Sequence, residues 1–300
     1  MKKVVGIGAC VLDTIIEMDA YPDEDIKKKA EKVFVSGGGP VSNALVCLSK
    51  LGVESEFIGL LSNDNNGHFL KDEFIKYGVK TENINFVDNT TAFTSFIVLA
   101  KDKGTRTCVF DKGSVPDDPK LLDLSKVLDA DVLHLDGNYL NIALDAAKLA
   151  KKNGVLVSLD AGSKYPNIES LLPYVDILIP SEDFARKVTG ETDIDKAILK
   201  LQKEYNPKVL VVTEGAKGGS FAVNNEVKHY DAFKINCVDS NGAGDTFHGA
   251  FLAAYLDGKT IEECVRFASA TSAIKCQKAG VRTALPNKQQ VEAFLQKEGK

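Results

Sequence analysis

The sequence has no Cys-x-x-Cys pair, no basic excess, no membrane-length apolar run and no Gly-x-x-x-x-Gly-Lys-Ser/Thr loop. Each absence excludes something. The six cysteines, at 10, 47, 108, 237, 264 and 276, stand mostly in apolar runs. They read as reduced core thiols of a cytosolic protein, not as a disulfide framework or zinc site. The four histidines, at 68, 134, 229 and 248, share no metal-ligand spacing. A net charge of -5 gives no footprint for nucleic acid. No apolar run approaches the ~18 residues needed to span a bilayer. Met1-Lys2-Lys3 leads straight into a strand-like Val-Val-Gly-Ile-Gly with no cleavable signal, so the expected location is the cytoplasm, away from membranes. Without a Pro/Gly/Ser linker, internal repeat or low-complexity tract, residues 1–300 are expected to form one domain. Without a Walker-type loop, any phosphate must be held by another architecture.

What is present is an ordinary globular composition, 44% hydrophobic and 26% charged. Apolar runs at Val4–Ala9, Glu56–Leu61, Val132–Leu135, Val155–Asp160, Ile177–Ile179 and Lys208–Thr213 read as buried strands. Helical patterns at 42–51, 67–77, 141–152, 182–189 and 194–204 lie between them. Gly52, Gly78, Gly154 and Gly190 fall where C-caps belong. This alternation predicts an α/β fold: a doubly wound, mainly parallel sheet covered on both faces. Residues 14–36 and 91–111 break the pattern. The second reads as a hairpin around Lys101-Asp102-Lys103-Gly104, and together the two segments predict a small β-sheet lid.

The most informative stretch is Asp239-Ser-Asn-Gly-Ala-Gly-Asp245-Thr-Phe-His-Gly-Ala-Phe251. Phe247, Ala250, Phe251, Ala254 and Tyr255 are spaced as a buried helix. Gly242, Ala243 and Gly244 leave almost bare backbone at its start. Free N–H groups and the helix dipole make such a start an anion site. Asp245 is awkward there unless it takes a proton from a hydroxyl attacking the anion. The bland alternative is a tight turn followed by a dipole-favoured acid. Gly37-Gly38-Gly39-Pro-Val-Ser42-Asn43 opens another helix. Asn43 offers a donor and an acceptor suited to sugar hydroxyls, or else Ser42 or Asn43 is simply an N-cap. Asp13 follows the first strand, where open α/β sheets bind ligands. Thr213-Glu-Gly215-Ala-Lys-Gly218-Gly219 either lets a nucleotide approach the backbone or is only a hairpin turn. Two lookalikes are set aside. Gly6-Ile-Gly8 lacks the third glycine of a dinucleotide fingerprint, and Ser62–Glu73 fits a calcium-loop frame but begins with Ser and follows a strand.

Together these residues resemble the PfkB-type carbohydrate kinases, the ribokinase family. Gly37–Gly52 is similar to the family's Gly-Gly…Asn-x-Ala signature, and Asp239–Phe251 to its Asp-Thr-x-Gly-Ala-Gly-Asp signature. The resemblance covers nearly the whole chain. It implies a ribokinase-like fold with a β lid, and transfer of the ATP γ-phosphate to a sugar hydroxyl with Mg²⁺. By this likeness Asp245 is the base, and Gly242, Ala243 and Gly244 hold the developing charge. Asp13, Gly38, Gly39 and Asn43 hold the sugar, and Thr213, Gly215 and Gly218 border the nucleotide.

The sequence departs from the family at several points. Where many members carry Asn-x-x-Glu to organise magnesium through water, this chain has Ser181-Glu182-Asp183-Phe184. Glu182 or Asp183 is then the substitute expected to act through water. Asp239 and Asn241 lie where some relatives bind a monovalent cation, so K⁺ is a candidate cofactor. Gly39 stands where ribokinase- and phosphofructokinase-like members have Lys, which points away from a phosphorylated sugar and towards a neutral hexose or ketose. Phe-His-Gly-Ala-Phe at 247–251 is similar to fructokinase- and ketohexokinase-like members. A nucleoside kinase on the same scaffold, or a silent sugar or nucleotide sensor, are the competing readings. Exposed lid strands need cover, which predicts a homodimer through the lid.

Overall fold

The computed structural model describes residues 2–102, 105–163, 165–223 and 226–299. Its centre is an eight-stranded sheet. The strands are β1 (Lys3–Ile7), β4 (Glu54–Phe57), β9 (Val132–Leu135), β10 (Leu156–Ala161), β11 (Ile177–Pro180), β12 (Val209–Thr213), β13 (Gly219–Val223) and β14 (Glu226–Tyr230). They run in the order β14-β13-β12-β11-β10-β9-β1-β4. The six strands from β4 to β12 pair in parallel, and β12, β13 and β14 close one edge as an antiparallel meander. The inner parallel strands carry apolar residues at successive positions because both faces are covered. Val4, Val132, Ile177 and Val209 pack towards α1 (Pro40–Lys50), α6 (Ala243–Leu256) and α7 (Ile261–Cys276). Their neighbours Val5, Leu133, Leu178 and Leu210 pack towards α3 (Leu140–Lys152), α4 (Glu182–Thr189) and α5 (Ile194–Tyr205). α2 (Asn65–Lys76) flanks the first layer through Leu70 and Phe74, and α8 (Lys288–Glu298) through Val291.

Some local expectations shift. The run expected as one strand over 56–61 is two. β4 stays in the large sheet, while β5 (Gly59–Ser62) pairs with β6 (Ile84–Val87) in a separate ribbon. The Phe57 ring lies where a side chain on Gly59 would sit, 2.7 Å from such a Cβ, so the chain can fold closely there. The calcium-like frame resolves into a strand end, a cap and a helix, with Asp64 accepting from the Gly67 N–H at 2.7 Å. After Gly6-Ile-Gly8 the chain enters a strand rather than a helix.

The two segments that lack helical pattern supply a four-stranded sheet, β3-β2-β7-β8. Its members are β2 (Val11–Met18), β3 (Lys32–Gly38), β7 (Thr94–Ala100) and β8 (Thr105–Asp111). Lys103 and Gly104 of the polar turn lie outside the described residues. The register aligns Ser36, Asp13, Ser95 and Phe110 in one cross-strand row and Val35, Thr14, Phe96 and Val109 in the next. Adjacent rows point to opposite faces. The first carries buried Asp13 and Ser95 towards the main body, while Val35, Phe96 and Val109 of the second are exposed.

Candidate active site

β1 lies between β4 and β9, so the winding of the sheet reverses there. In such sheets the crevice beyond the strand ends at the reversal is where ligands bind. A cavity of about 520 Å³ occupies this place, roofed by the four-stranded sheet. Asp13, Asn43, Asp136, Asp160, Asp245 and His248 all reach its wall. Asp136 and Asp160 stand at the carboxyl ends of β9 and β10. The strand-end argument that selects Asp13 in the sequence applies equally to these two, and would have found them.

Asp245 sits in the first turn of α6. Its Oδ2 accepts from Asn43 Nδ2 at 2.7 Å, joining the two motifs that the sequence holds 202 residues apart. Burial pushes its carboxyl up to about 6, with the nearby Asp160 charge adding and the Asn43 bond opposing. The orientation of Asn43 is itself fixed. Fully buried Arg282 donates its Nε to Asn43 Oδ1 at 3.1 Å and approaches the Gly38 carbonyl at 3.5 Å. A guanidinium only donates, so Asn43 turns its oxygen to Arg282 and its NH₂ to Asp245. Arg282 also lies 5.4 Å over the Phe74 ring and 3.8 Å from Glu73. Nothing in the spacing around Ala-Gly-Val-Arg-Thr marks this arginine as part of the site.

The glycine motif makes this packing possible. Gly39 has φ 101°, and a Cβ there would come within 2.3 Å of the Ala9 carbonyl; a Cβ on Gly38 would fall 1.9 Å from Asp13 Oδ2. Gly38 thus clears room for Asp13, and Gly39 lines the cavity. Helix α1 starts at Pro40, so Ser42 and Asn43 are inside it and neither is the N-cap. Asp13 accepts from Ser95 Oγ at 2.6 Å, and burial raises its carboxyl. Asp136 accepts from the Ala9 N–H at 2.9 Å and the Val41 N–H at 3.3 Å, and burial pushes it up to about 6. Asp160 accepts from the Gly162 N–H at 2.9 Å and lies 3.2 Å from His248 Nε2. Burial works to raise Asp160, but His248, His134 and the Gly162 N–H together hold the carboxyl below its ordinary value. His248 therefore packs within the site and also borders its cavity.

A second cavity of about 450 Å³ adjoins the first across Thr213, Ser240, Ala243 and Gly244, which line both. Gly215 and Gly218 line it with Tyr230, Phe233 and Phe247. The turn over 213–219 is at once a hairpin connection and a cavity wall. Of the three expected N–H groups at the start of α6, that of Ala243 donates to Ser240 O at 3.2 Å. Gly242 takes φ 72°, and Gly244 has open space around the position of a Cβ.

Of the other expected residues, Ser181 and Asn241 reach the wall of the first cavity, while Glu182, Phe184 and Asp239 reach neither cavity. Glu182 pairs with Arg186 at 2.8 Å and is absent from both cavity walls. Ser181 caps α4, accepting from the Phe184 N–H at 3.1 Å, and Phe184 is buried in the core. Asp239 and Asn241 are drawn together by an Asn241 N–H to Asp239 Oδ1 bond of 2.8 Å. Gly39 leaves no cation at its own position, but Arg106 and Lys112 of the roof reach the cavity wall.

The family model for "pfkB family carbohydrate kinase" matches residues 1–288. The chain belongs to the pfkB family of carbohydrate kinases. Among curated relatives of this pfkB-family protein, the ribokinase of Haemophilus influenzae is 27% identical over 304 residues, covering 98% of this chain and 99% of the relative. Fructokinase-2 of Solanum lycopersicum is 29% identical, covering 86% of each. Among solved structures, Arabidopsis thaliana ribokinase complexed with ribose and ATP superposes with a TM-score of 0.85 at 29% identity, over 98% of this chain and 99% of that one. No helix among the described residues is long and apolar enough to cross a membrane.

Proposed function

We propose that this chain transfers the γ-phosphoryl group of ATP to a hydroxyl of a small neutral sugar, with Asp245 as general base. The observation that carries this reading is the position of Asp245. Its carboxylate lines the first cavity at a helix N-terminus, clamped by Asn43, beside Ala243 and Gly244, which line both cavities. The polar cavity ringed by Asp13, Asn43 and Asp136 suits a polyol. The apolar one beside Gly215, Gly218 and Phe247 suits an adenine. The backbone of 242–244 separates them, where a transferring phosphoryl group would lie.

The chemistry asked of the protein is positioning and charge stabilisation. Asp13 and Asn43 orient the sugar, Asp245 accepts the proton of the attacking hydroxyl, and the start of α6 meets the charge on phosphorus. Arg106 of the roof faces the same cavity and adds positive charge. Magnesium suits this donor set in one way: among the described residues no His, Cys, Asp or Glu side chains cluster as a metal cage, so the ion would be held chiefly by nucleotide phosphates and water, with Asp160 as the acidic group and Glu182 left in its ion pair. When bound it neutralises phosphate charge. The four-stranded sheet acts as the lid that excludes water.

The neutral-sugar reading rests on the wall itself. Asp13, Asp136 and Asp160 surround the acceptor region, and an anionic substituent would meet them at short range. The homodimer is supported by the outward row of Val35, Phe96 and Val109, and a reducing cytoplasm by the free cysteines 10, 47, 264 and 276, all buried.

The test is ADP release across a panel of hexoses, pentoses, sugar phosphates and nucleosides. A neutral sugar is expected to give the highest kcat/KM. A nucleoside or sugar phosphate in first place overturns the substrate reading, and binding without ADP release overturns the kinase. On the best acceptor, Asp245→Asn should lose about 100-fold or more in kcat while ATP affinity is retained. Near-normal turnover would remove Asp245 from the base role.

A further inference from the structure

Lys275, in the last turn of α7, has a fully buried side chain. Its ammonium does not end in a simple ion pair. Nζ donates to the carbonyl of Asp239 at 2.8 Å and to the carbonyl of Asn241, and lies 3.9 Å from Asp239 Oδ1. An ammonium has three donors, and three oxygens surround this one. The loop around it is tied down on every side. The Val238 and Asp239 N–H groups donate to Cys276 O at 2.8 and 3.1 Å, and Asp239 Oδ2 accepts from the Gly280 N–H at 2.9 Å. Burying an ammonium is costly unless oxygens replace its water, so its place here calls for a reason.

The reason lies in what the loop leads to. Asn241 is followed directly by Gly242, which sets the start of α6. The carbonyls of 239 and 241 converge with a carboxylate oxygen as they would on a monovalent metal ion, where oxygen dipoles replace the hydration shell. We infer that Lys275 is a tethered cation that takes the place of K⁺ in this loop, so that the protein holds the start of α6 in position without a monovalent metal ion. The K⁺ expectation does not fit the donor set, because the oxygens that would bind the ion already accept from Nζ. Lys275 is a positioning residue: it touches neither cavity and acts through Asn241 and Gly242. Burial pushes its ammonium down from the ordinary value, while the Asp239 carboxylate and the α7 C-terminus favour the charge.

The inference rests on the proposed role of residues 242–244, and its test separates the two. The parent protein is measured in tetramethylammonium buffer, with and without near-physiological KCl, for melting temperature, ATP affinity by calorimetry and ADP release. All three should change little with K⁺. A K⁺-driven rise in melting temperature or an affinity gain of about tenfold overturns the inference. Lys275→Met keeps the stem and removes the charge. In K⁺-free buffer it should lose ATP affinity and turnover by about tenfold or more, with saturable recovery on adding K⁺ or NH₄⁺. A folded Lys275→Met that neither ion rescues overturns the inference, since a merely structural lysine would behave that way. If Lys275→Met does not fold, the parent titration decides alone. A parent that binds ATP indifferently to K⁺ yet phosphorylates nothing would defeat the kinase reading and leave this one standing.

Discussion

A carboxylate is useful as a base near neutral pH only if it is ionised but not indifferent to protons. Asp245 meets that condition because burial pushes it up to about 6. Turnover should therefore climb about tenfold per pH unit below 6 and level off above it, as a pH–rate profile of kcat/KM will show. The same shift has a stability consequence of opposite sense. The folded carboxyl holds its proton to a higher pH than the unfolded one, so folding loses stability as pH rises from about 4 to about 6 and does not regain it above. Asp245→Asn removes that loss. It should melt above the parent at pH 8, by a difference on the order of 1–3 kcal/mol, and the gap should close near pH 4. A constant gap across this range would show that the proton is not its cause. At this scale the sequence was partly legible. Asp13, Asn43 and Asp245 could be singled out because each sits beside a glycine run or a strand end. Arg282 could not, since its partners arrive from Gly38, Asn43 and Glu73, far away in the chain.

Among the elements, α6 depends most on its first residues. Gly242 combines φ 72° with a neighbour that leaves no room, since an added Cβ would stand 2.3 Å from Val281 Cγ1. Gly242→Ala should cost about 1–2 kcal/mol from backbone strain alone, plus the displacement of Val281. The expected result is a lower melting temperature together with a fall in kcat. Gly244 is different: the space around it is open and faces both cavities. Gly244→Val should leave the melting temperature nearly unchanged and weaken ATP binding. Retention of both affinity and rate would show that phosphate does not approach there. Elements with strong periodicity were readable to within a residue or two, as with α3 and β9. The break between β4 and β5 was not, because Phe57-Ile58-Gly59-Leu60 is as apolar as an unbroken strand and only the Phe57 ring over Gly59 reveals the turn.

At the scale of the whole molecule, the four-stranded sheet has two faces with opposite tasks. Asp13 faces inward, and Val35, Phe96 and Val109 make an apolar row facing out. A second copy of this sheet would cover that row. Phe96→Glu combined with Val109→Glu should then yield a monomer by sedimentation velocity, and the parent should sediment as a dimer. A monomeric parent would discard the lid-to-lid assembly. The layered α/β core was legible because alternating strand and helix patterns admit few arrangements. How the two lid segments pair was not, because no local signal sets the register between stretches so far apart. That long separation also has a consequence in time. Asn43 meets Asp245 across 202 residues and Arg282 across 239. A chain emerging from the ribosome therefore carries Asn43 long before it carries Asp245 and Arg282. Contacts of this span form late in folding. Refolding followed by circular dichroism and by ADP release should show secondary structure returning first and turnover lagging behind it, so a half-made chain stays inert.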